Sequence, residues 1–292
     1  MTILAIDIGG TAIKYALVDD NNNISSFSEI PSEAKLGASA LLEKVYKIIE
    51  AHISDCDAIS ISTAGRVDSE SGRIIFANEN IPEYTGTELA KLITERFSKP
   101  AFVENDVYCA ATAEANYGAG KNVKNFVCLT VGTGIGGAIV LNGRLYKGDR
   151  LCGGDFGEMI TGEEKFENLA SATALVKRVK SATGSELTGR EIFDEVNFSD
   201  PTIKAAVDSW IDELTNGIKT LMFIFDVPLF VVGGGIMSEK YIIDRISNDL
   251  HNTERENFKS LEIKQAFFKN RCSPYSEPVS YTHLRAHETE AD

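Results

Sequence analysis

The chain has 292 residues, of which 43% are hydrophobic, so it can bury one large core or two modest ones without disulfide or metal staples. A net charge of −14, with no run rich in Lys or Arg, argues against binding to nucleic acid. The five cysteines are scattered and form no CxxC pair, which favours free thiols in a reducing compartment. No stretch reaches about 18 apolar residues and no leader pattern is visible, so we expect a cytoplasmic protein with no membrane span.

The first half of the sequence alternates strand-like and helix-like segments. Three apolar runs separated by short turns predict a meander of strands at 2–8, 13–19 and 24–30. The segments that follow are predicted to be a helix over 38–53, a strand at 57–62, a loop rich in Gly, Ser and Asp, a helix near 86–98, a strand at 100–104 and a helix opening after Asp106. This half ends at a Gly-rich stretch, 117–122, which is a candidate domain boundary.

The second half begins by repeating the first. The segments LAIDIGGTAIKYALVDDNNNI (4–24) and FVCLTVGTGIGGAIVLNGRLY (126–146) share the order strand, Gly/Thr turn, strand and Asn-containing turn. This repeat predicts an internal duplication, an α/β fold and two domains, at 1–118 and 119–270. Each Gly/Thr turn offers backbone N–H groups and a hydroxyl with little bulk, which suits a phosphate chain, although either turn alone also fits an ordinary tight β-turn.

Two further features of the sequence suggest bound groups. Asp7 is a lone carboxylate inside an apolar strand, and a buried aspartate is costly unless something pairs with it. The run VVGGGIMSEKYI (231–242) places glycines after a buried strand. It is compatible either with close packing of a strand-to-helix turn or with a wall for a flat ligand such as adenine.

Taken together, the short motifs resemble the ROK family of sugar kinases. They follow one another in that family's order as DIGGT (7–11), STAGRVD (62–68), VENDVYCAATAE (103–114), GTGIGG (132–137), GDFG (154–157), ExxAS (167–171) and GGGI (233–236). The resemblance implies the actin-like, hexokinase-type architecture, in which two ribonuclease H-like α/β domains flank a cleft where ATP and a hexose meet. It also implies Mg²⁺ as a cofactor, and we expect a homodimer.

Asp106 is the candidate catalytic base. It follows the predicted strand at 100–104, and strand ends are where α/β proteins place ligands. An Asp at this place is equally suited to cap the helix that follows. The match of Asn105-Asp106 to the family's Asn-Asp pair favours the catalytic role, and the same resemblance implies that Asn105 hydrogen-bonds the sugar.

The resemblance implies five further sugar contacts, each with a plainer alternative. Gly65 matches a family glycine but is also an ordinary loop residue, and Asn80 matches a family asparagine but suits a turn. Asp155 stands where many members have Glu, and Glu158 stands where His is common; both could instead be solvated loop charges. Glu167 matches a sugar-binding glutamate and also suits the acidic first turn of a helix.

The implied nucleotide site draws on the three glycine runs, with Asp7 acting on Mg²⁺ directly or through water. Its candidate residues are Asp7, Gly9, Gly10, Thr11, Lys14, Gly132, Thr133, Gly134, Gly234 and Gly235.

The sequence departs from the family pattern in two places, one at the zinc site and one at the final helix. The cysteine cluster that holds zinc in many members is replaced by ITGEEKFEN (160–168), so we predict no zinc site and a place in the zinc-free, β-glucoside kinase-like subset. Glucose, a β-glucoside and N-acetylmannosamine all remain candidate substrates. The family's final helix is replaced by a polar segment, 271–292, for which we expect disorder.

Two other functions stay open at this point. One is a sugar-binding protein without catalytic activity. The other is a ROK-type transcriptional regulator lacking its DNA-binding domain, since Asp7 falls within the first strand and we expect no helix-turn-helix before it.

Overall fold

The computed structural model describes residues 1–252 and 255–267. They form two compact units that divide between Asn116 and Tyr117. We call residues 1–116 unit 1 and the described residues from Tyr117 onward unit 2. The disorder expected over 271–292 concerns residues outside the described part of the chain.

Unit 1 is built on a five-stranded sheet of order β3-β2-β1-β4-β7. Its strands are β1 (Ile3–Ile8), β2 (Ala12–Val18), β3 (Ile24–Pro31), β4 (Ala58–Thr63), β5 (Arg66–Asp68), β6 (Arg73–Phe76) and β7 (Ala101–Asn105). Its helices are α1 (Ala38–His52), α2 (Leu89–Phe97) and α3 (Asp106–Tyr117), with a 3₁₀ turn at Ala34–Leu36. The predicted meander and α1 are confirmed: β1 to β3 pair antiparallel, and α1 buries its apolar stripe, including Leu41, Val45 and Ile49.

Unit 2 is built on a second five-stranded sheet, of order β10-β9-β8-β13-β14. Its strands are β8 (Phe126–Val131), β9 (Ile135–Leu141), β10 (Arg144–Tyr146), β11 (Ile160–Thr161), β12 (Glu164–Lys165), β13 (Leu229–Gly233) and β14 (Glu262–Gln265). Its helices are α4 (Phe166–Ala170), α5 (Ala172–Thr183), α6 (Gly189–Ile192), α7 (Glu195–Phe198), α8 (Pro201–Phe225), α9 (Lys240–His251) and α10 (Glu256–Lys259). Two 3₁₀ turns lie at Phe156–Glu158 and Ile236–Ser238.

The two sheets have the same strand order and the same strand directions. In each, the first three strands along the chain pair antiparallel, and the next two add in parallel beside the first. The α/β class predicted from the sequence is confirmed, and the shared topology agrees with the repeat seen in the sequence.

One part of unit 1 differs from the sequence-based prediction. The segment after β4, expected to be a loop, forms an antiparallel ribbon of β5 and β6. Its turn contains Gly72, whose φ is +64° and whose added Cβ would lie 2.1 Å from the Cβ of Ala90. The ribbon buries only Val67 and Ile74 of its two strands, so its sequence lacks the apolar alternation that predicts a strand pair.

Helix α8 organises the core of unit 2. Asp200 caps it by accepting from Thr202 N–H at 2.7 Å, and Pro201 fits its first position, where no N–H is needed. Its buried face includes Trp210, whose indole N–H donates to the Ser171 carbonyl at 2.9 Å.

Among the helices of the described ranges, none has the length and apolar character needed to cross a bilayer.

Gly217 lets α8 approach α4 closely. A Cβ at this position would fall 2.1 Å from Cζ of Phe166, whose side chain is fully buried and therefore has little room to move. Glycine here fixes where α4 lies against α8.

We predict that Gly217→Ala lowers stability. Ala is favoured over Gly within a helix by about 0.8–1.0 kcal/mol. Overpacking a buried site costs about 1–3 kcal/mol, so the net effect should be a loss. Scanning calorimetry should show a lower melting temperature for Gly217→Ala. Asn216→Ala is the control, because Asn216 is the preceding residue of α8 and is exposed; it should melt at or slightly above the wild-type temperature. A Gly217→Ala protein as stable as wild type would contradict the packing argument.

Candidate active site

A row of polar residues crosses the sheet of unit 1 at one level. Asp7 on β1 is in register with Lys14 on β2 and Ser62 on β4, and Ser62 is in register with Glu104 on β7. Residues paired in this way lie on the same face of a sheet. Ser62 Oγ donates to Asp7 Oδ1 at 3.0 Å, which supplies a partner for the carboxylate that the sequence places inside an apolar strand.

The turn after β1 leaves open surface. Gly9 N–H donates to the Ala12 carbonyl at 2.9 Å, and the Thr11 carbonyl accepts from Ser32 N–H at 2.9 Å, so the turn is held from two sides. A Cβ on Gly10 would meet nothing within 4 Å. The glycine at 10 is therefore not required by packing within the protein, and its backbone can be approached from outside.

Asn105 and Asp106 lie where β7 ends and α3 begins. Asn105 Oδ1 accepts from the N–H groups of Val107 at 2.9 Å and Tyr108 at 3.0 Å, so Asn105 caps the helix and Asp106 is its first residue. Asn105 Nδ2 donates to the Gly65 carbonyl at 2.8 Å and to Asp106 Oδ1 at 3.0 Å. All four hydrogen-bonding positions of this amide are thus occupied, and a sugar hydroxyl could bind it only by replacing one of them.

Asp106 carries a perturbed carboxyl group. The residue is exposed at the surface of the chain, yet desolvation by the surrounding protein and, second to it, the negative charge of Asp7 together raise its pKa to about 6. Hydrogen bonds from Val107 N–H and from Asn105 act in the opposite direction. A carboxylate of this kind titrates just below neutral pH.

Glu104 is a buried acid that the sequence reasoning did not single out. One carboxylate oxygen accepts from Asn105 N–H at 2.9 Å, and the other accepts from Ser69 Oγ at 3.1 Å. The sequence pattern that identified Asp7, an acid within an apolar strand, is also present at Glu104. Its contacts fix the end of β7 directly beside the Asn105-Asp106 pair.

The other two candidate sugar residues of unit 1 differ in their surroundings. Gly65 has φ +105°, and an added Cβ would lie 2.7 Å from the Phe76 carbonyl, so only glycine fits. Through its carbonyl it joins Asn105. Asn80 lies in an exposed turn, where its N–H donates to Asn78 Oδ1 at 3.1 Å.

In unit 2 the turn after β8 lies against Glu167. Gly132 N–H donates to the Gly134 carbonyl at 2.9 Å, and Thr133 between them is exposed. A Cβ on Gly134 would fall 2.4 Å from Glu167 Oε2, and one on Gly157 would fall 3.0 Å from the same atom. The fold therefore brings a proposed phosphate-binding turn and a proposed sugar-binding carboxylate together.

This turn is also tied to helix α5. The Gly132 carbonyl accepts from Ala172 N–H at 2.9 Å, directly after Ser171, which caps α5 by accepting from Ala174 N–H at 3.1 Å. Because the Ser171 carbonyl in turn accepts from the buried indole of Trp210, the turn is anchored in the core of unit 2.

Asp155 precedes the 3₁₀ turn at Phe156–Glu158 and Glu158 is its last residue; both are exposed. Glu158 forms an ion pair with Lys165 on β12, at 2.7 Å. The segment predicted not to bind zinc forms the β11–β12 hairpin and the start of α4, so this pair links the 3₁₀ turn to the hairpin that leads into Glu167.

The third glycine run contains two different positions. Gly234 has φ +117°, and a Cβ there would lie 2.0 Å from the Val131 carbonyl, which supports the packing interpretation. A Cβ on Gly235 would meet nothing within 4 Å, so this position leaves open surface.

Two units of matching α/β topology, each with a glycine turn after its first strand, define a protein of the actin-like, hexokinase-type fold. The chain belongs to the ROK family, whose family model matches residues 3–272. It is 30% identical over 283 residues to a beta-glucoside kinase of Listeria innocua, covering 93% of this chain and 94% of that relative.

Solved structures show the same fold. The Lmo2764 protein of Listeria monocytogenes superposes with a TM-score of 0.88 at 27% identity, covering 99% of this chain and 100% of that one. A ROK family glucokinase of Streptomyces griseus, solved in complex with glucose and AMPPNP, superposes with a TM-score of 0.83 at 24% identity, covering 97% and 100%.

We predict that Asp7→Asn lowers the pKa of Asp106. Removing the charge of Asp7 removes one of the two causes that raise this pKa, so the carboxyl of Asp106 should titrate closer to its ordinary range. Carboxyl ¹³C NMR titration of the ligand-free protein measures the value directly. Asp57→Asn is the matched control, because it removes the same charge at a different place. Asp57 directly precedes the first residue of β4, whereas Ser62 and Thr63 form the other end of that strand. An ordinary pKa for Asp106 in the wild type, or no change in Asp7→Asn, would contradict the assignment.

Proposed function

We propose that this chain is an ATP-dependent kinase that transfers the γ-phosphoryl group of ATP to a hydroxyl, O6, of a hexose or hexoside. The observation that carries the proposal is Asp106, an acid with its pKa raised to about 6, fixed at a strand end next to Asp7. A general base works best with a pKa near the operating pH. Glucose, a β-glucoside and N-acetylmannosamine are the candidate acceptors, and the identity to a beta-glucoside kinase supports this class.

Asp106 would accept the proton of the attacking hydroxyl. As the sugar oxygen forms its bond to the γ-phosphorus, the bond from that phosphorus to the β-phosphate oxygen breaks and ADP leaves. Asn105 would hold Asp106 in position and exchange one of its four hydrogen bonds for a sugar hydroxyl. The buried Glu104 keeps the Asn105 backbone in place beneath them.

Each unit by itself offers further candidate sugar contacts. In unit 1, Gly65 would let the sugar approach the backbone, and Asn80 would donate from its exposed turn. In unit 2, Glu167 and Asp155 would accept hydrogen bonds from sugar hydroxyls, while Glu158 would contribute one oxygen and keep its ion pair with Lys165.

Each glycine turn would offer phosphate groups its backbone N–H donors and one hydroxyl, that of Thr11 in unit 1 and that of Thr133 in unit 2. Lys14 lies in register with Asp7 and would add a positive charge. Gly235 leaves open surface that suits the flat base, with Gly234 shaping the turn. Asp7 offers carboxylate oxygen, the ligand that Mg²⁺ prefers, and the bound ion would offset the charge of the phosphates.

The proposal is tested by an ADP-release assay over a panel of glucose, other hexoses, N-acetylmannosamine and several β-glucosides. We expect turnover with at least one of these sugars and little ADP release without sugar. ADP release that does not depend on any sugar would count against the function.

With the best sugar of this panel, Asp106→Asn should reduce kcat by roughly 10²–10⁴, the usual contribution of a general base, because the amide cannot accept the proton. Sugar binding measured by calorimetry should stay close to that of wild type. In the wild type, kcat/KM should fall as the pH drops through about 6, since protonated Asp106 is inactive. Asp57→Asn is the control and should behave as wild type. Near-normal turnover by Asp106→Asn would rule out its role as the base.

Mg²⁺ should be required and zinc should not. EDTA should abolish turnover and added Mg²⁺ should restore it, because the phosphates need a hard cation. Elemental analysis of the purified protein should find no stoichiometric zinc, since residues 160–168 supply no cysteine or histidine ligand. Tightly bound zinc at one per chain would overturn this part of the proposal.

A further inference from the structure

Two buried hydroxyl groups meet in unit 1 away from the polar row. Tyr84 and Thr63 are both fully buried, and Tyr84 OH and Thr63 Oγ1 lie 3.1 Å apart. Burial raises the pKa of Tyr84 to about 12, so this phenol stays protonated and can form the hydrogen bond at any physiological pH. A buried tyrosine needs such a partner for its hydroxyl.

Tyr84 belongs to the segment that carries Asn80. We call residues 77–87, which connect β6 to the approach of α2, the Asn80 segment. Thr85 Oγ1 closes this segment on itself, because it accepts from Ala77 N–H at 2.9 Å and donates to the Ala77 carbonyl at 3.3 Å. Pro82 ties it to the start of α1, since its carbonyl accepts from Ala38 N–H at 2.9 Å. Gly86 and Thr87 join it to Ile74 of β6 through backbone hydrogen bonds, and the Tyr84 hydroxyl joins it to β4 of the central sheet.

Thr63 lies in the part of β4 that holds the site. Its neighbour Ser62 donates to Asp7, and Gly65, two residues further on, accepts from Asn105. Three contacts therefore leave residues 62–65, at and just beyond the end of β4: one to Asp7, one to Tyr84 and one to Asn105. The bond to Tyr84 relates the Asn80 segment to the same short stretch of backbone that positions both carboxylates.

We propose that Tyr84 is a positioning residue for sugar binding. Through its hydrogen bond to Thr63 it holds Asn80 at a fixed place relative to Asp106. The inference rests on the proposed function. Asn80 itself is exposed and its turn is held by a local contact to Asn78, so its place relative to the catalytic pair depends on what fixes the segment as a whole. Loosening that attachment lets the sugar-binding group move without disturbing Asp106.

The experiment compares three variants with a matched control. Tyr84→Phe removes one hydroxyl, Thr63→Val removes the other at nearly constant shape, and the double variant removes both. Tyr46→Phe is the control, because Tyr46 is a buried tyrosine of the same core whose ring packs against Phe97 and Arg96 of α2. For each protein we would measure KM for sugar, KM for ATP, kcat and the melting temperature.

The sugar KM should rise about fivefold to tenfold in all three variants, the effect expected for losing one ordinary hydrogen bond. KM for ATP and kcat should stay within about twofold of wild type, because Asp106 and its partners are untouched. Thr63→Val leaves the Tyr84 hydroxyl buried without a partner, so its melting temperature should fall most. The double variant leaves no such orphan and should recover part of that loss.

The double variant separates positioning from simple core stability. If Tyr84 positions Asn80, the sugar KM stays high although the melting temperature recovers. A sugar KM that returns to wild type with the melting temperature would overturn the proposal. So would a wild-type sugar KM in Tyr84→Phe, or an equal rise in Tyr46→Phe.

Sugar binding measured by calorimetry keeps this test separate from the proposed function. A wild-type protein that binds a sugar without phosphorylating it would refute the kinase function, and the same variants would still test Tyr84 through their dissociation constants. A wild type that turns sugar over while all the variants match it would refute the role of Tyr84 alone.

Discussion

The geometry of the candidate site in unit 1 depends on the side-chain amide of Asn105. Its oxygen caps α3, and its nitrogen reaches both the backbone after β4 and the carboxylate of Asp106. A single planar group therefore sets the distance between a strand end, a helix start and an acid. Because an amide carries no charge, it does this without adding to the repulsion between Asp7 and Asp106. A carboxylate at 105 could accept the helix N–H groups but could donate to neither Gly65 nor Asp106.

The duplicated sheets have diverged in chemistry at equivalent places. Asp7 in unit 1 lies in register with Lys14 and Ser62, whereas Thr130 on β8 lies in register with Gly136 and Gly233. In unit 1 this level of the sheet carries charge and hydroxyl groups. In unit 2 it carries almost no side chain, which lets neighbouring segments approach the backbone closely. Shared topology thus supports two kinds of sheet chemistry at this level, one built on polar side chains and the other on glycine main chain.

Much of the fold could be read from local patterns, since β1, β2 and α1 depend on apolar periodicity within a few residues. The β5–β6 ribbon could not, because its turn is polar and its pairing depends on Gly72 passing close to Ala90 of α2. Among the site residues, Asp7 could be predicted from the sequence because it is an acid in an apolar strand. The role of Asn105 as the cap emerged only from geometry, since sequence alone favoured Asp106 for that position. Glu104 gave the same local signal as Asp7, but its contact with Ser69 joins residues 35 positions apart, which no local pattern reports.

Trp210 gives unit 2 an optical property of its own. It is the one tryptophan of the chain, it is fully buried on α8, and its indole N–H is held by the Ser171 carbonyl. Excitation at the red edge of protein absorbance therefore selects a single rigid chromophore in an apolar setting, with emission shifted to the blue. Unit 1 contributes no indole to this signal. The fluorescence of the intact protein consequently follows the melting of unit 2 alone, and any difference from circular dichroism, which sees both units, measures how independently the two unfold.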